Sequence, residues 1–109
     1  MRIMTKSRMH QNYLIKDSSG LYAAAIADVS PFEKGTYLIN RINVMQKFRG
    51  TGLGSQILKQ ICDDADKNKI TLILGASPSG GLTMKQLVDW YKRYGFVEKP
   101  NFYMERKPQ

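Results

Sequence analysis

Apolar and polar residues change their rhythm midway along the 109-residue chain. As far as Met45 they follow the period of two expected of extended chain, broken at short turn-forming clusters. Asn12 to Lys16 reads as a strand, and Asp17-Ser18-Ser19-Gly20 then supplies turn chemistry with glycine free to take positive φ. Leu21 to Val29 makes a second strand, supported by the preceding turn although its alanines have weak β preference. After a loop over Pro31 to Gly35, Thr36 to Met45 makes a third, along which Leu38, Ile42 and Val44 share a face that Asn40 interrupts. Three strands joined by short turns predict an antiparallel meander. The polar, mixed residues before them are either an edge strand or a frayed end.

From Gln46 the period lengthens. Leu53, Ile57, Ile61 and Ala65 recur at spacing four, with Leu58 and Cys62 beside them, which is the apolar stripe of a helix stopping near Asn68. Thr71 to Ala76 is short and β-rich. Ser77 to Gly81 breaks the chain, and Met84, Leu87, Val88 and Tyr91 mark a second amphipathic helix ending near Gly95. Phe96-Val97 and Asn101 to Glu105 form final strands around the Pro100 turn. The order β-β-β, helix, β, helix, β-β predicts an α/β (α+β) domain with a mixed, mostly antiparallel sheet and two main helices.

Composition narrows the classes. The length suits one domain over residues 1–109. A hydrophobic fraction of 42% and a charged fraction of 24% are those of an ordinary globular chain. No apolar run is long enough to span a membrane, and no secretory leader is visible. One cysteine excludes an internal disulfide and, with one histidine, a Cys/His zinc site; no metal is expected, and a reducing cytoplasmic setting follows. The net charge is +8, with eight Lys/Arg against three Asp/Glu in residues 1–50 and nine against six in 51–109. Such a field draws anions, but the absence of a basic run argues against nucleic acid as the primary partner. The acidic group Asp63, Asp64 and Asp66 reads as a solvated helix face.

Arg49-Gly50-Thr51-Gly52-Leu53-Gly54-Ser55 lies between the third strand and the first helix. Glycines there allow sharp turns and close backbone approach, and consecutive amides at a helix N-terminus make a nest for a pyrophosphate. The segment lacks the Gly-Lys-Ser/Thr of a Walker A loop, and its G-x-G-x-G spacing is not the G-x-G-x-x-G of a dinucleotide fold. As R-x-x-G-x-G it resembles the coenzyme A loop of the GNAT N-acetyltransferase superfamily, with Arg49, Gly52 and Gly54 at the matching positions. Trp90-Tyr91-Lys92-Arg93-Tyr94-Gly95-Phe96 is similar to that family's Tyr-x-x-x-Gly-Phe segment. The resemblance spans about residues 12 to 106.

The resemblance implies acetyl-CoA as cofactor and transfer of its acetyl group to a primary amine by direct attack. Backbone amides of Arg49, Gly50, Thr51, Gly52, Leu53, Gly54 and Ser55 would hold the pyrophosphate. Ile42 and Val44 would line the pantetheine, with an amide near Val44 polarising the thioester carbonyl. Tyr91 would protonate the leaving thiolate as general acid, although it also completes the apolar stripe of its helix. No base is assigned: Thr36 to Met45 carries no carboxylate, and Asp28, Glu33 and His10 are weak candidates. Met84 stands where members often carry an asparagine. The family's N-terminal helical pair is missing, which leaves the acceptor cleft open or completed by a second copy of the chain. The acceptor is a small molecule or a protein. Two alternatives stand beside the enzyme: a coenzyme A-binding module with weak or lost catalysis that engages a macromolecular partner, and a binder of nucleic acid or acidic protein.

Overall fold

A computed structural model describes residues 9–77 and 81–109. The edge-strand reading of the first residues and much of the Ser77–Gly81 break lie outside these. The elements run β1 (Asn12–Lys16), β2 (Ala23–Glu33), β3 (Thr36–Val44), α1 (Leu53–Asn68), β4 (Thr71–Gly75), α2 (Met84–Lys92), β5 (Val97–Lys99) and β6 (Tyr103–Arg106). They form one sheet of order β1-β2-β3-β4-β6-β5, antiparallel except where β3 meets β4. This is the mixed, mostly antiparallel α/β architecture that the pattern predicts. Among the described residues no helix precedes β1.

The connections β3-α1-β4 and β4-α2-β5 advance across the sheet in the same direction, so right-handed crossovers lay both helices on one face. There α1 buries Ile57, Leu58, Ile61, Cys62 and Ala65, and α2 adds Leu87 and Tyr91, against Tyr37, Ile39, Leu72, Leu74 and Met104. Each fully buried aliphatic side chain contributes about 2–3 kcal/mol. The opposite face carries Leu14, Ile26, Leu38 and Ile73, none of which joins that core. The described elements therefore make two layers, with a shortest extent of 19 Å.

Each helix end has its own device. Thr83 caps α2 through a reciprocal pair with Gln86, whose amide donates to the threonine hydroxyl at 3.1 Å. α1 ends on Lys69, held at φ +58° with its N–H bonded back to Asp66. Behind α1 the guanidinium of Arg106, 4% exposed, donates to both carboxylate oxygens of Asp66 at 2.8 and 3.0 Å and to the Tyr94 carbonyl. The acidic group is thus not simply a solvated face: Asp66 pairs with Arg106, Asp64 accepts from the Tyr13 hydroxyl at 2.7 Å, and only Asp63, with Lys59, stays at the surface.

β3 departs from the expected alternation. Its core-facing residues are first Tyr37 and Ile39, then Ile42 and Val44, while Leu38 lies on the bare face. The parity changes because Asp28 pairs with Arg41 but Val29 pairs with Ile39, leaving Asn40 as an unpaired extra residue. Its side-chain amide donates to the Ser30 hydroxyl at 3.2 Å, pinning the bulge. A second bulge at Phe32 lets β2 run through Pro31 to Glu33, where the sequence pattern places a loop.

Candidate functional site

Beyond the Asn40 bulge, β3 and β4 part. They pair only from Thr36–Thr71 to Leu38–Ile73, so the edge of β3 from Ile39 to Val44 has no strand beside it. A cleft of about 710 Å³ opens in that wedge, with β3 from Ile39 to Val44 on one wall and Leu74 and Gly75 on the other. The loop before α1 closes one end, and α2 supplies Leu87, Trp90 and Tyr91. Arg41, Arg49 and Arg93 face it with Asp89 as the opposing charge, so the cavity is positive overall.

The loop begins with a 3-10 turn, Gln46–Phe48. Gly50 and Gly52 follow with φ +82° and +85°, conformations that suit glycine. Among the described residues, the amides of Gly50, Thr51, Gly52, Leu53, Gly54 and Ser55 meet no protein acceptor, and α1 has no side-chain cap. Six consecutive free donors at the positive end of a 16-residue helix are an arrangement that can receive an anion. The Arg49 amide is not one of them, because it donates to the Gln46 carbonyl at 3.3 Å. Its side chain has a positioning job, with Nε donating to the Val44 carbonyl at 3.0 Å and clipping the loop to the end of β3.

Gly54 has an ordinary helical φ. A Cβ placed there would lie 3.6 Å from both the Trp90 ring and a Val44 methyl. Trp90 is a residue that sequence reasoning passed over. Its indole N–H donates to the Ser55 hydroxyl at 2.8 Å, fixing the first turn of α1 against α2. Only the partner's position 35 residues earlier reveals this role.

Tyr91 is 8% exposed and packs edge-on against Phe96 and beside Trp90. It belongs to the core, as its place in the apolar stripe predicts, and also lines the cleft. Among the described residues no side-chain hydrogen bond reaches its hydroxyl, which is not sealed from solvent but opens on the cleft, and burial of the ring pushes its pKa up to about 12. It is therefore a phenol, able to donate, throughout the neutral range. Ile42, Val44, Leu53 and Ser55 all reach the cleft, as do Gly50, Gly52 and Gly54. The Thr51 hydroxyl turns back to the Phe48 carbonyl.

The weak base candidates lie elsewhere. Asp28 is paired to Arg41 at 3.0 Å, Glu33 sits at the far end of β2, and His10 stacks against Tyr13 in a separate groove. Asp89 lines the cleft, but the Lys85 ammonium at 2.9 Å holds its carboxyl below the usual range. Among the described residues no cluster of ligands suits a metal ion, and no helix is long and apolar enough to cross a membrane.

A model of the GNAT acetyltransferase domain matches residues 10–98. Among solved structures the anti-CRISPR protein AcrVA5 is similar at 20% identity with a TM-score of 0.65, over 88% of this chain and 98% of that one. The Escherichia coli ribosomal-protein-S18-alanine N-acetyltransferase aligns at 19% and 0.69, over 88% of this chain and 67% of its own. An Escherichia coli GNAT N-acetyltransferase crystallised with CoA aligns at 16% and 0.67, over 88% and 57%. At such identities these likenesses speak to fold alone, and the chain spans only part of the two bacterial enzymes. No curated protein matches the chain significantly. The free amides and parted strands also fit a coenzyme A thioester physically: six donors for a diphosphate and a bare strand edge for an extended amide chain. With the family model covering most of its length, the chain belongs to the GNAT acetyltransferase family, whose cofactor is acetyl-CoA.

Proposed function

We propose that residues 1–109 form a single acetyltransferase domain that moves the acetyl group of acetyl-CoA to a primary amine by direct attack, with Tyr91 as general acid. When bound, acetyl-CoA supplies an electrophilic thioester and a thiolate leaving group. The chain's own residues do the rest. The amides of Gly50 to Ser55 hold the diphosphate, the strand edge at Ile42 and Val44 orients the pantetheine, and a backbone N–H near Val44 stabilises the oxyanion. The Tyr91 phenol donates a proton, and the acceptor enters through the open side of the wedge. Water takes the proton of the incoming ammonium, since no carboxylate is poised for it. A cleft that no helix among the described residues covers on its open side suits an amine on a protein as well as a small one.

The observation that carries this reading is the coincidence, in one cleft, of the free amide run with a protonated phenol that has no protein partner. In the test, acetyl-CoA raises the melting temperature of the wild type, Gly52→Trp abolishes the rise, and a panel of amines then yields acetylated product. No rise at millimolar acetyl-CoA would overturn it.

A second reading is favoured by the tethered Asp89: a coenzyme A-binding module with weak catalysis that engages a macromolecular partner. A normal thermal shift together with single-turnover inertness toward every amine would select it.

A further inference from the structure

The lysines and arginines among the described residues fall into two populations. Lys59, Lys85, Lys92, Lys99, Arg41 and Arg106 each have a carboxylate within 4.0 Å. Among the described residues the others have none, and apart from Lys16 they gather at the two ends of α1. Lys47, Arg49 and Arg93 surround the loop at its N-terminus, where the cofactor's phosphates account for them. Lys34, Lys67, Lys69 and Lys107 gather at the other end. Fold topology brings them there: the Thr71 amide bonds the Gly35 carbonyl at 2.8 Å, Lys69 closes α1 two residues before Thr71, and Lys107 follows the Arg106–Leu72 pair. All four are exposed. The 16 residues of α1 separate the two ends by about 24 Å, so one ligand the size of a cofactor does not serve both.

Two further observations mark this end as more than a solvated surface. Lys69 occupies the helix C-cap at φ +58°, a left-handed position for which glycine is the favoured residue, so the chain keeps a strained cation there. Phe32, the unpaired bulge residue two positions before Lys34, is 58% exposed and leaves an aromatic ring in water. Glu33 is the opposing charge on the same hairpin, while the Asp66 carboxylate nearby is neutralised by Arg106.

We propose that this lysine end is a second anion-binding surface, which takes the phosphodiester backbone of single-stranded nucleic acid. Four ammonium groups engage phosphates, and Phe32 offers a face on which an unpaired base stacks. Neither contact reads sequence. The ring favours nucleic acid over an acidic protein segment, and it favours an unpaired strand over a duplex. The surface is independent of the cofactor cleft, and binding there leaves acetyl-CoA free to occupy its own site.

The experiment is fluorescence anisotropy of a random 15-mer DNA single strand with the intact protein at low salt, repeated over a salt series. The expected result is binding in the range of about 10⁻⁴ to 10⁻⁶ M, with a slope of log K against log salt of about −3 for four phosphate contacts. Lys34→Glu combined with Lys107→Glu lowers affinity at least ~10-fold and leaves the acetyl-CoA thermal shift intact. Phe32→Ser narrows the preference for single strand over duplex. Because a charge reversal can perturb folding, Lys69→Gly provides a check of opposite sign. Relief of the left-handed strain raises its melting temperature by a few degrees, while its oligonucleotide affinity falls. The proposal fails if saturating acetyl-CoA displaces the strand, if the lysine variants bind it normally, or if polyglutamate of equal charge binds more tightly than the oligonucleotide.

Discussion

At the scale of single residues, Tyr91 joins two demands that usually compete. Its ring packs with Phe96 and Trp90, while its hydroxyl, unpartnered within the protein, belongs to the cleft. Tyr91→Phe is therefore expected to leave the melting temperature within about one degree of wild type, and to lower acetyl transfer by about 10²-fold in steady-state assays. With its pKa near 12, the alkaline limb assigned to this group lies two units above that of an ordinary tyrosine. The same shift is a stability statement. The buried phenol stabilises the fold fully below pH 10, and that contribution disappears as the pH rises through 12. The glycines divide just as clearly. Gly52→Ala forces a Cβ into φ +85° and costs about 1–2 kcal/mol, whereas Gly54→Ala meets only van der Waals contacts in a helix and is neutral or stabilising by about 0.5 kcal/mol. Thermal melts of the two variants distinguish them. The sequence revealed the glycine loop and the tyrosine because each is a local pattern. It hid Trp90 and Arg106 because their partners, Ser55 and Asp66, lie 35 and 40 positions away.

Among the elements, two joints matter most. The first fastens α1 to β6 through Asp66 and Arg106. Hydrogen bonding from the guanidinium holds the Asp66 carboxyl below its usual range, so the pair stabilises the fold above about pH 4 and is lost as the pH falls through the lower, folded-state value. Asp66→Asn strands a buried cation. An expected loss of about 2–4 kcal/mol in urea titrations at pH 7, shrinking toward pH 2, would check this. The second joint is the bulge in β3. Periodicity located all three strands of the meander but assigned Leu38 to the wrong face, since one unpaired residue reverses parity without leaving any compositional mark. Removing Asn40 makes Tyr37, Ile39, Ile42 and Val44 alternate regularly and allows β3 to continue pairing along β4. This deletion is expected to retain a cooperative thermal transition while abolishing the thermal shift with acetyl-CoA. The helices needed no such correction, because their stripes of period 3.6 run uninterrupted through Leu53–Ala65 and Met84–Tyr91.

At the scale of the whole molecule, the helices among the described residues clothe one side of the sheet only. Family resemblance supplied the expectation of a missing helical pair, and element order supplied the topology. Neither indicated how thin the protein is, because that depends on both crossovers laying their helices on the same face. Among the described residues Leu14 is therefore exposed and Ile26, Leu38 and Ile73 are only half-buried in the native state. Denaturation releases less apolar surface to water than is normal for a chain of 109 residues, whose heat-capacity increment would be about 1.3–1.6 kcal/mol/K. Differential scanning calorimetry is expected to return a value below that range. A smaller increment flattens the curve of free energy against temperature, so a protein with one face of its sheet open to water exchanges peak stability for a broad plateau, and chilling should weaken it little.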